Sequence, residues 1–574
     1  MKKLLKYLKG SWVFVIAAPL LMIVEVCCDL LQPTLMSNII DVGVASGEMS
    51  QVWGTGLKML AVALIGVCGG AGCTILSTKA SYNFGAKLRQ SLFDRIQTFS
   101  FKEIDKLQPS SLITRLTNDV TQLQGCLRMI LCMLVRAPFS CIGGIVMAVA
   151  ISPKLSLIFV VSIPILMASI LFIVSKTFPM FGEMQKKIDR VNTVFRESLL
   201  GVRVIKAFVG EKREEKRFDN ANLDLTNWTL KAIDRINLLW PIINIIMGAS
   251  TVALLWFGGR LVQTGELEIG KIMAFMTYLN HVLSSLMMVI MMSLSFSRAK
   301  VAMDRCNEVM DTQSTIVDPE DPVDPAVWSV EFSHVNFSYN KTDPEPVLKD
   351  ITFSVRPGQR VGIIGNTGSG KSSMVQLIPR LYDVDSGKVS IGGVDVREMS
   401  LDTLRQHIGV VLQEAVLFSG DIESNLRWGA GDADDAVLQS ALDDAQATEF
   451  VSQLPSLMHN IVEQRGKNYS GGQKQRLSIA RTFAKNPDIL ILDDSMSAVD
   501  TETEAKMQAA LRERIGSGIT FVIASRVSAI ADSDVILVME DGRIVGQGTH
   551  QELIQNNEVY RGIVASQWGE EAIA

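Results

Sequence analysis

Two stretches carry residues whose types and spacing can do chemistry on phosphate. Gly365-Asn366-Thr367-Gly368-Ser369-Gly370-Lys371-Ser372, followed by Ser373, fits the GxxxxGK[ST] pattern, with strand-like Val361-Gly362-Ile363-Ile364 before it and helix-like Ser372 to Leu381 after it. Glycines there let backbone N–H groups curl around a nucleotide's phosphates at a helix N-terminus. Lys371 supplies a point charge to the outer phosphates, and the Ser372 hydroxyl can ligate Mg²⁺. The second stretch, Asn468 to Asp500, contains the apolar run Ile489-Leu490-Ile491-Leu492 closed by Asp493-Asp494. That pattern predicts a buried parallel strand delivering carboxylates to the sheet's carboxyl edge, where such sheets bind ligands. Asp493 is placed to serve the Mg²⁺, directly or through water.

Tyr339, the glycine loop, Gln413, Ser470-Gly471-Gly472-Gln473, the Ile489 to Asp494 strand and Ser497-Ala498-Val499-Asp500 follow one another in the order and spacing of an ATP-binding cassette. The segment before them resembles the six-helix membrane domain of ABC exporters, so the resemblance covers nearly the whole chain. It implies ATP and Mg²⁺ as ligands, with Tyr339 stacking on adenine and Asp500 among the nucleotide-site residues. Gln413 would sense the γ-phosphate, contribute to the metal site and couple to the membrane domain. Ser470 to Gln473 would bind the γ-phosphate of a nucleotide held by a second cassette, so the family works as a dimer.

Several positions depart from that family pattern. Asp494 stands where the catalytic Glu usually follows the metal Asp, which draws its carboxylate back by roughly 1.5 Å. Misplacement on that scale costs about a hundredfold in rate. Ser525 stands where the family has a switch His, and it neither reaches as far nor carries a proton at neutral pH. Gln464 replaces a common Glu, and Tyr469 a Leu, while Ser470 to Gln473 is intact. The losses are one-sided, which predicts a heterodimer. In it this chain's own loop forms a degenerate site, and its signature completes a competent site whose Glu and His belong to a non-identical chain. The alternative is a homodimer in which Asp494 works as the base through a repositioned water.

The elements that position these residues are legible in composition and hydropathy. With 574 residues, 48% hydrophobic content and a mean hydropathy of +0.25, the chain joins a membrane part to a water-exposed part. A net charge of −5 argues against a nucleic-acid surface. Six apolar runs of spanning length are predicted: Trp12 to Met36, Met59 to Leu76, Met129 to Ile151, Leu155 to Val174, Leu238 to Phe257 and Ile272 to Leu294. The basic opening Met1 to Lys6 is read as mature sequence, because the run after it is too long for a cleaved signal. Asp41 to Gly56 has no Lys or Arg, whereas Ser81 to Gly125 holds about six and Lys176 to Arg235 about thirteen. The positive-inside rule therefore predicts a multi-pass protein of the cell (plasma or inner) membrane with both termini and the cassette in the cytoplasm.

The fold class expected is an α-helical six-span membrane domain (1–310) with long cytoplasmic helix extensions, a linker (311–328) and an α/β P-loop cassette with a helical subdomain (329–574). Ser100 to Ser111 and Val204 to Lys216 occupy the places of the family's coupling helices. The eight cysteines lack metal-type spacing and read as small buried hydrophobes, with no disulfide implied. Ionisable residues inside a bilayer are costly and so are substrate-site candidates. Glu25 and Asp29 share a helix face and could receive a cationic substrate or pair with a partner's base; Arg136, His281, Met287 and Met291 are further intramembrane candidates.

The function expected is an ATP-driven exporter subunit moving a small, amphipathic or drug-like molecule by alternating access. Two other classes stay open: an importer of siderophore type built on the same fold, and an ATP-gated regulator that does not pump.

Overall fold

The computed structural model describes residues 6–340, 345–496 and 501–569, and within these the side chains of 290, 291, 293, 294, 501 and 515 are left out of the description. The chain forms two compact units, Met1–Arg95 with Ser110–Asp311, and Ile96–Pro109 with Thr312–Ala574.

The first unit is helical, and among the described residues six helices are long and apolar enough to cross a membrane. Its elements are α1 (Trp12–Asn38) and α2 (Met49–Gln97), then, beyond the second unit's α3 (Phe101–Leu107), α4 (Val120–Ile151), α5 (Pro153–Leu200), α6 (Val202–Ala207), α7 (Glu211–Asn237), α8 (Leu239–Gln263) and α9 (Ile269–Asp311). The apolar runs are extended at their ends by charged helical sequence. At 49 residues α2 is about 73 Å long, more than twice a hydrocarbon core. Ser152 starts α5 by accepting the Leu155 N–H, with Pro153 at the first helical position, where its missing N–H costs nothing.

The core of this unit gathers Phe159 stacked on Phe275 at 5.6 Å, and the fully buried Tyr278, whose hydroxyl donates to the Leu30 carbonyl at 2.6 Å and lies 2.7 Å from Thr34. The segment Val204 to Lys216 is broken, because α6 ends at Ala207 and Val209 takes φ 51° before Gly210 opens α7. Its apolar residues stay outside, with Phe208 81% and Val209 82% exposed. Cys27 and Cys68 are likewise exposed, against the expectation that the cysteines are buried; all eight thiols are free.

The second unit is built on two sheets. A four-stranded antiparallel sheet has the order β2-β1-β4-β5: β1 (Val330–Phe337), β2 (Leu348–Val355), β4 (Ser386–Ile391) and β5 (Val394–Asp395). A six-stranded sheet has the order β12-β11-β3-β10-β9-β6: β3 (Arg360–Gly365), β6 (Ile408–Val411), β9 (Ile489–Asp493), β10 (Ile519–Ile523), β11 (Val535–Glu540) and β12 (Arg543–Gly548), of which only β12 runs antiparallel. Every residue of β9 and β10 is buried, as a strand covered on both faces requires.

Between β6 and β9 the chain is helical, with α11 (Ile422–Ala430), α12 (Asp435–Asp444) and α13 (Gly471–Lys485) around a small β7–β8 ribbon (Gly420–Asp421, Ile461–Val462). The helix after the glycine loop, α10 (Lys371–Gln376), is shorter than the periodicity to Leu381 predicts. The chain tightens there, with Arg380 at φ 51°. After Thr501, α14 (Thr501–Ile515) leads into β10.

The segment Ile96–Pro109 packs with the second unit. In α3, Asp105 accepts a 2.9 Å hydrogen bond from the Tyr382 hydroxyl, Phe101 lies 6.0 Å from the same ring, and the Ser100 hydroxyl is 3.2 Å from that of Thr315.

Candidate nucleotide site

The site is a product of strand order. In-register parallel pairing of β3, β10 and β9 sets Ile363 beside Ile523 and Ile523 beside Asp493, so three strands end together. The glycine loop, Ser525 and the two acids therefore emerge at one carboxyl edge, where doubly wound sheets bind ligands. The loop can only be glycine at two of its corners. A Cβ on Gly365 would come within 2.1 Å of the Met539 carbonyl oxygen, and Gly370 holds φ 94° with Leu348 2.8 Å from where its Cβ would stand.

Lys371 folds back over the loop, donating to the carbonyls of Gly365 at 2.9 Å and Asn366 at 2.8 Å. Burial pulls its ammonium below the usual lysine range, against the opposing pull of Asp494 and Asp493. The Ser372 hydroxyl donates to Asp493 Oδ1 at 2.8 Å. Asp493 is 5% exposed, and burial raises its pKa, with Asp494 adding to the rise while the Ser372 hydrogen bond and Lys371 oppose it. A hydroxyl and a carboxylate side by side, both hard oxygen donors, make a pair that fits Mg²⁺.

Asp494 adopts φ 45°, an uncommon conformation for a residue with a Cβ, and its N–H donates to the Ile523 carbonyl at 3.0 Å. That bond ties the end of β9 to the end of β10, and Asp494 and Ser525 line one pocket with Ser495, Arg526 and Glu504.

Glu504 was not singled out from sequence. It is 5% exposed, accepts from Gln508 Nε2 at 3.2 Å, and burial raises its pKa against the pull of Arg526 and Arg360. The available signal was its position on the inward face of α14, four residues after Asp500.

Tyr339 presents its ring edge-on to Phe337 and Tyr382, at 5.0 and 5.2 Å, and its hydroxyl lies 2.9 Å from that of Ser373. Tyr382 thus joins the predicted adenine platform to α3, a link that sequence alone does not offer. Its hydroxyl pKa is raised, by burial first and then by the bond to Asp105. Gln413 is exposed just past β6. Ser369 lies in the loop with its hydroxyl buried, and Thr367 and Gly368 are exposed at its tip. Asp500, with Ser497 to Val499, lies outside the described residues.

Ser470 to Gln473 open α13 with a reciprocal cap: the Ser470 hydroxyl accepts from the Gln473 N–H at 3.4 Å, and the Ser470 N–H donates to Gln473 Oε1 at 2.9 Å. The result is an ordered helix N-terminus with its dipole outward and Gly471 exposed, suited to an anion. Tyr469 is accommodated in the core behind it, its hydroxyl accepting from Asn460 at 2.9 Å and donating to the Ile461 carbonyl at 3.2 Å.

In the membrane unit, Glu25 and Asp29 have a base within their own chain. Arg136 of α4 reaches Glu25 Oε1 at 2.6 Å and Asp29 Oδ2 at 3.0 Å. His281 and Met287 are both half-buried on α9, with Met287 packing against the helical core; the side chain of Met291 lies outside the described residues.

A phosphate-cradling loop on a parallel sheet, fused behind six membrane-length helices, defines a membrane-bound P-loop ATPase. The family profile for the ABC transporter transmembrane region matches residues 15–287, and that for the ABC transporter cassette residues 348–497. The chain is similar to an ABC transporter ATP-binding protein of Bacillus subtilis, YfiB, at 36% identity over 571 residues, 100% of this chain and 99% of that one. It is also similar to a fatty acid ABC transporter ATP-binding/permease protein of Mycobacterium bovis, at 33% over 474 residues, 83% of this chain and 75% of that one. A solved bacterial Atm1-family ABC exporter with ATP bound superposes with a TM-score of 0.81 at 26% identity, over 96% of this chain and 98% of that one. The chain belongs to the ABC transporters, with the exporter fold: a multi-pass membrane protein that binds ATP and couples its hydrolysis to transport.

Proposed function

We propose that the chain is one half of a heterodimeric exporter in which its own nucleotide site is degenerate and its signature completes the competent site of a non-identical second half. The observation that carries this reading is local. Asp494 and Ser525, the two departures from the family's catalytic pair, share one pocket at the ends of neighbouring strands, whereas Ser470 to Gln473 keep an intact cap. Two shorter side chains at one place draw back the water-polarising carboxylate and replace the imidazole with a hydroxyl, while Ser470 to Gln473 keep the family pattern.

Under this reading Ser372 and Asp493 hold Mg²⁺, with Gln413 completing the set, and the metal supplies charge neutralisation on the phosphates. Lys371 leaves the loop carbonyls for the outer phosphates, Tyr339 carries the adenine, and Asp500 belongs to the interface between cassettes. The cassettes lie in the cytoplasm of a cell-membrane protein and close on nucleotide because the closed state binds it better than the open one. The contact of α3 with Tyr382 transmits that closure toward the helices.

The substrate is a small amphipathic molecule, a class consistent with the name of the Mycobacterium bovis relative. The decisive measurement is ATPase activity of this chain alone and co-purified with a second half-transporter that has Glu and His in place. Activity that requires the second half, and disappears when its Glu is changed to Gln, is the expected result. Robust turnover by this chain alone would make Asp494 a working base and sink the proposal.

A further inference from the structure

Between α5 and α8, away from any residue assigned above, runs a groove of about 770 Å³, within the size range of small-molecule sites. Its walls are aliphatic, among them Ile158, Ile245 and Ala249, and the flanking Leu157 and Val161 are 65% and 60% exposed. Both cations of the lining are at one end. Lys154 stands in the first turn of α5 and Arg260 in the last turn of α8. Lys154 is held by Glu266 at 2.7 Å. Arg260 has no carboxylate within 4.0 Å among the described residues; its guanidinium lies over the Trp256 ring at 5.5 Å.

The remaining polar lining is two serines. Ser250 donates to the Ile246 carbonyl at 2.7 Å, but the Ser162 hydroxyl, 4% exposed, has no partner. Ser156 and Ser169 on the same helix both donate to the carbonyl four residues back, so Ser162 stands apart in forgoing that bond. Neither hydroxyl is open to the groove, so its polar recognition rests on the cationic end.

We propose that the groove holds an acyl chain of an anionic glycerolipid, with its phosphate against Arg260 and Lys154. Dimensions and charge both fit. From Lys154 to Ile165 the lining on α5 rises about 16 Å, the depth of one leaflet of a hydrocarbon core roughly 30 Å thick. With Lys154 offset by Glu266, one positive charge is left for one phosphate. The site depends only on the helices lying in a bilayer, and stands whether or not the nucleotide site is degenerate.

The test is native mass spectrometry on the full transporter, delipidated in detergent and offered dioleoylphosphatidylglycerol and dioleoylphosphatidylcholine in equal amounts. The wild type should retain phosphatidylglycerol preferentially. Arg260→Gln should reduce that preference about fivefold, the effect of one basic side chain at an anionic lipid surface, with basal ATPase unchanged. Arg260→Lys should keep the preference, and Ala253→Trp, which fills the groove, should lower retention of both lipids. Equal retention of the two lipids by the wild type, or a preference untouched by Arg260→Gln, would overturn the proposal. So would absence of adducts together with protection of an Ala253→Cys thiol from maleimide only after assembly, which would give the groove to a helix of the second chain.

Discussion

The cassette carries two surfaces that can meet a nucleotide, and they have kept different things. The loop face has the parts of a binding site: Gly365 and Gly370 hold the backbone in place, Lys371 lies across the loop carbonyls, and Ser372 touches Asp493. Under the proposed reading, what it has shortened are the residues that would move a proton, Asp494 and Ser525. The signature face retains its whole capped helix start, with Tyr469 absorbed into the core behind it. If the proposal holds, binding and turnover are separable in this fold, because backbone N–H groups and a metal pair would do one, and a single carboxylate with a partner's imidazole the other.

The largest expected effect sharpens this contrast. In the assembled transporter, Ser470→Ala should cut ATPase activity by roughly a hundredfold or more, the usual cost of losing a donor aimed at transition-state charge. Asp494→Asn should change it less than about twofold, since little chemistry is lost from a site already short of the water. Steady-state ATPase of the co-purified pair distinguishes these, and silencing by Asp494→Asn would erase the distinction between the faces. An intermediate effect comes from repair. Asp494→Glu with Ser525→His, and the second half inactivated, should raise turnover at this site at least tenfold, toward the range that a positioned general base contributes. Unchanged phosphate release from the double variant would mean that the defect lies elsewhere.

A smaller effect concerns pH. Burial raises the pKa of Asp493 in the nucleotide-free state. The folded chain therefore binds more protons there than the unfolded chain does. Stability from this group is greatest below the ordinary carboxylate value and falls as pH rises through the raised one. Mg²⁺ needs the ionised form, so its affinity should rise across the same window. Thermal melts with and without Mg²⁺ and nucleotide should show opposite slopes, and Asp493→Asn should flatten both.

Much of this site was legible because its parts are consecutive in sequence. The glycine loop lies between a strand and a helix, and the two acids close an apolar run, so local pattern fixes both ends of the sheet edge. The pairing of Asp494 with Ser525 was legible only as two separate departures; parallel register makes them neighbours. Glu504 was missed because one Glu among Glu502, Thr503 and Glu504 looks like any solvated helix start, and only the seating of α14 buries it. In the membrane unit the spans were plain, but their ends were not, since α2 leaves the apolar run at Leu76 and continues as helix to Gln97 without a stop signal. Glu25 and Asp29 share a face by i, i+4 spacing, yet their partner Arg136 is 107 residues or more away, beyond any local pattern.

The smallest effect tests whether the loop face reports to the helices at all. Asp105 of α3 is exposed and its bond to Tyr382 is partly solvated, so Tyr382→Phe should cost no more than about 0.5–1 kcal/mol, the low end for a hydrogen bond. The ring would remain, and with it the edge-on contact to Tyr339 at 5.2 Å. Hydrogen exchange over 101–107 should therefore quicken slightly in nucleotide-free protein, while the nucleotide affinity at this chain's own site stays unchanged. Tyr382→Ala removes the ring as well, and should both free α3 and weaken nucleotide binding by withdrawing the support of Tyr339. If the two variants behave alike, the hydroxyl rather than the ring carries the connection. If neither changes exchange in α3, the aromatic contact is packing alone, and the contrast between the two faces stays local to the cassette.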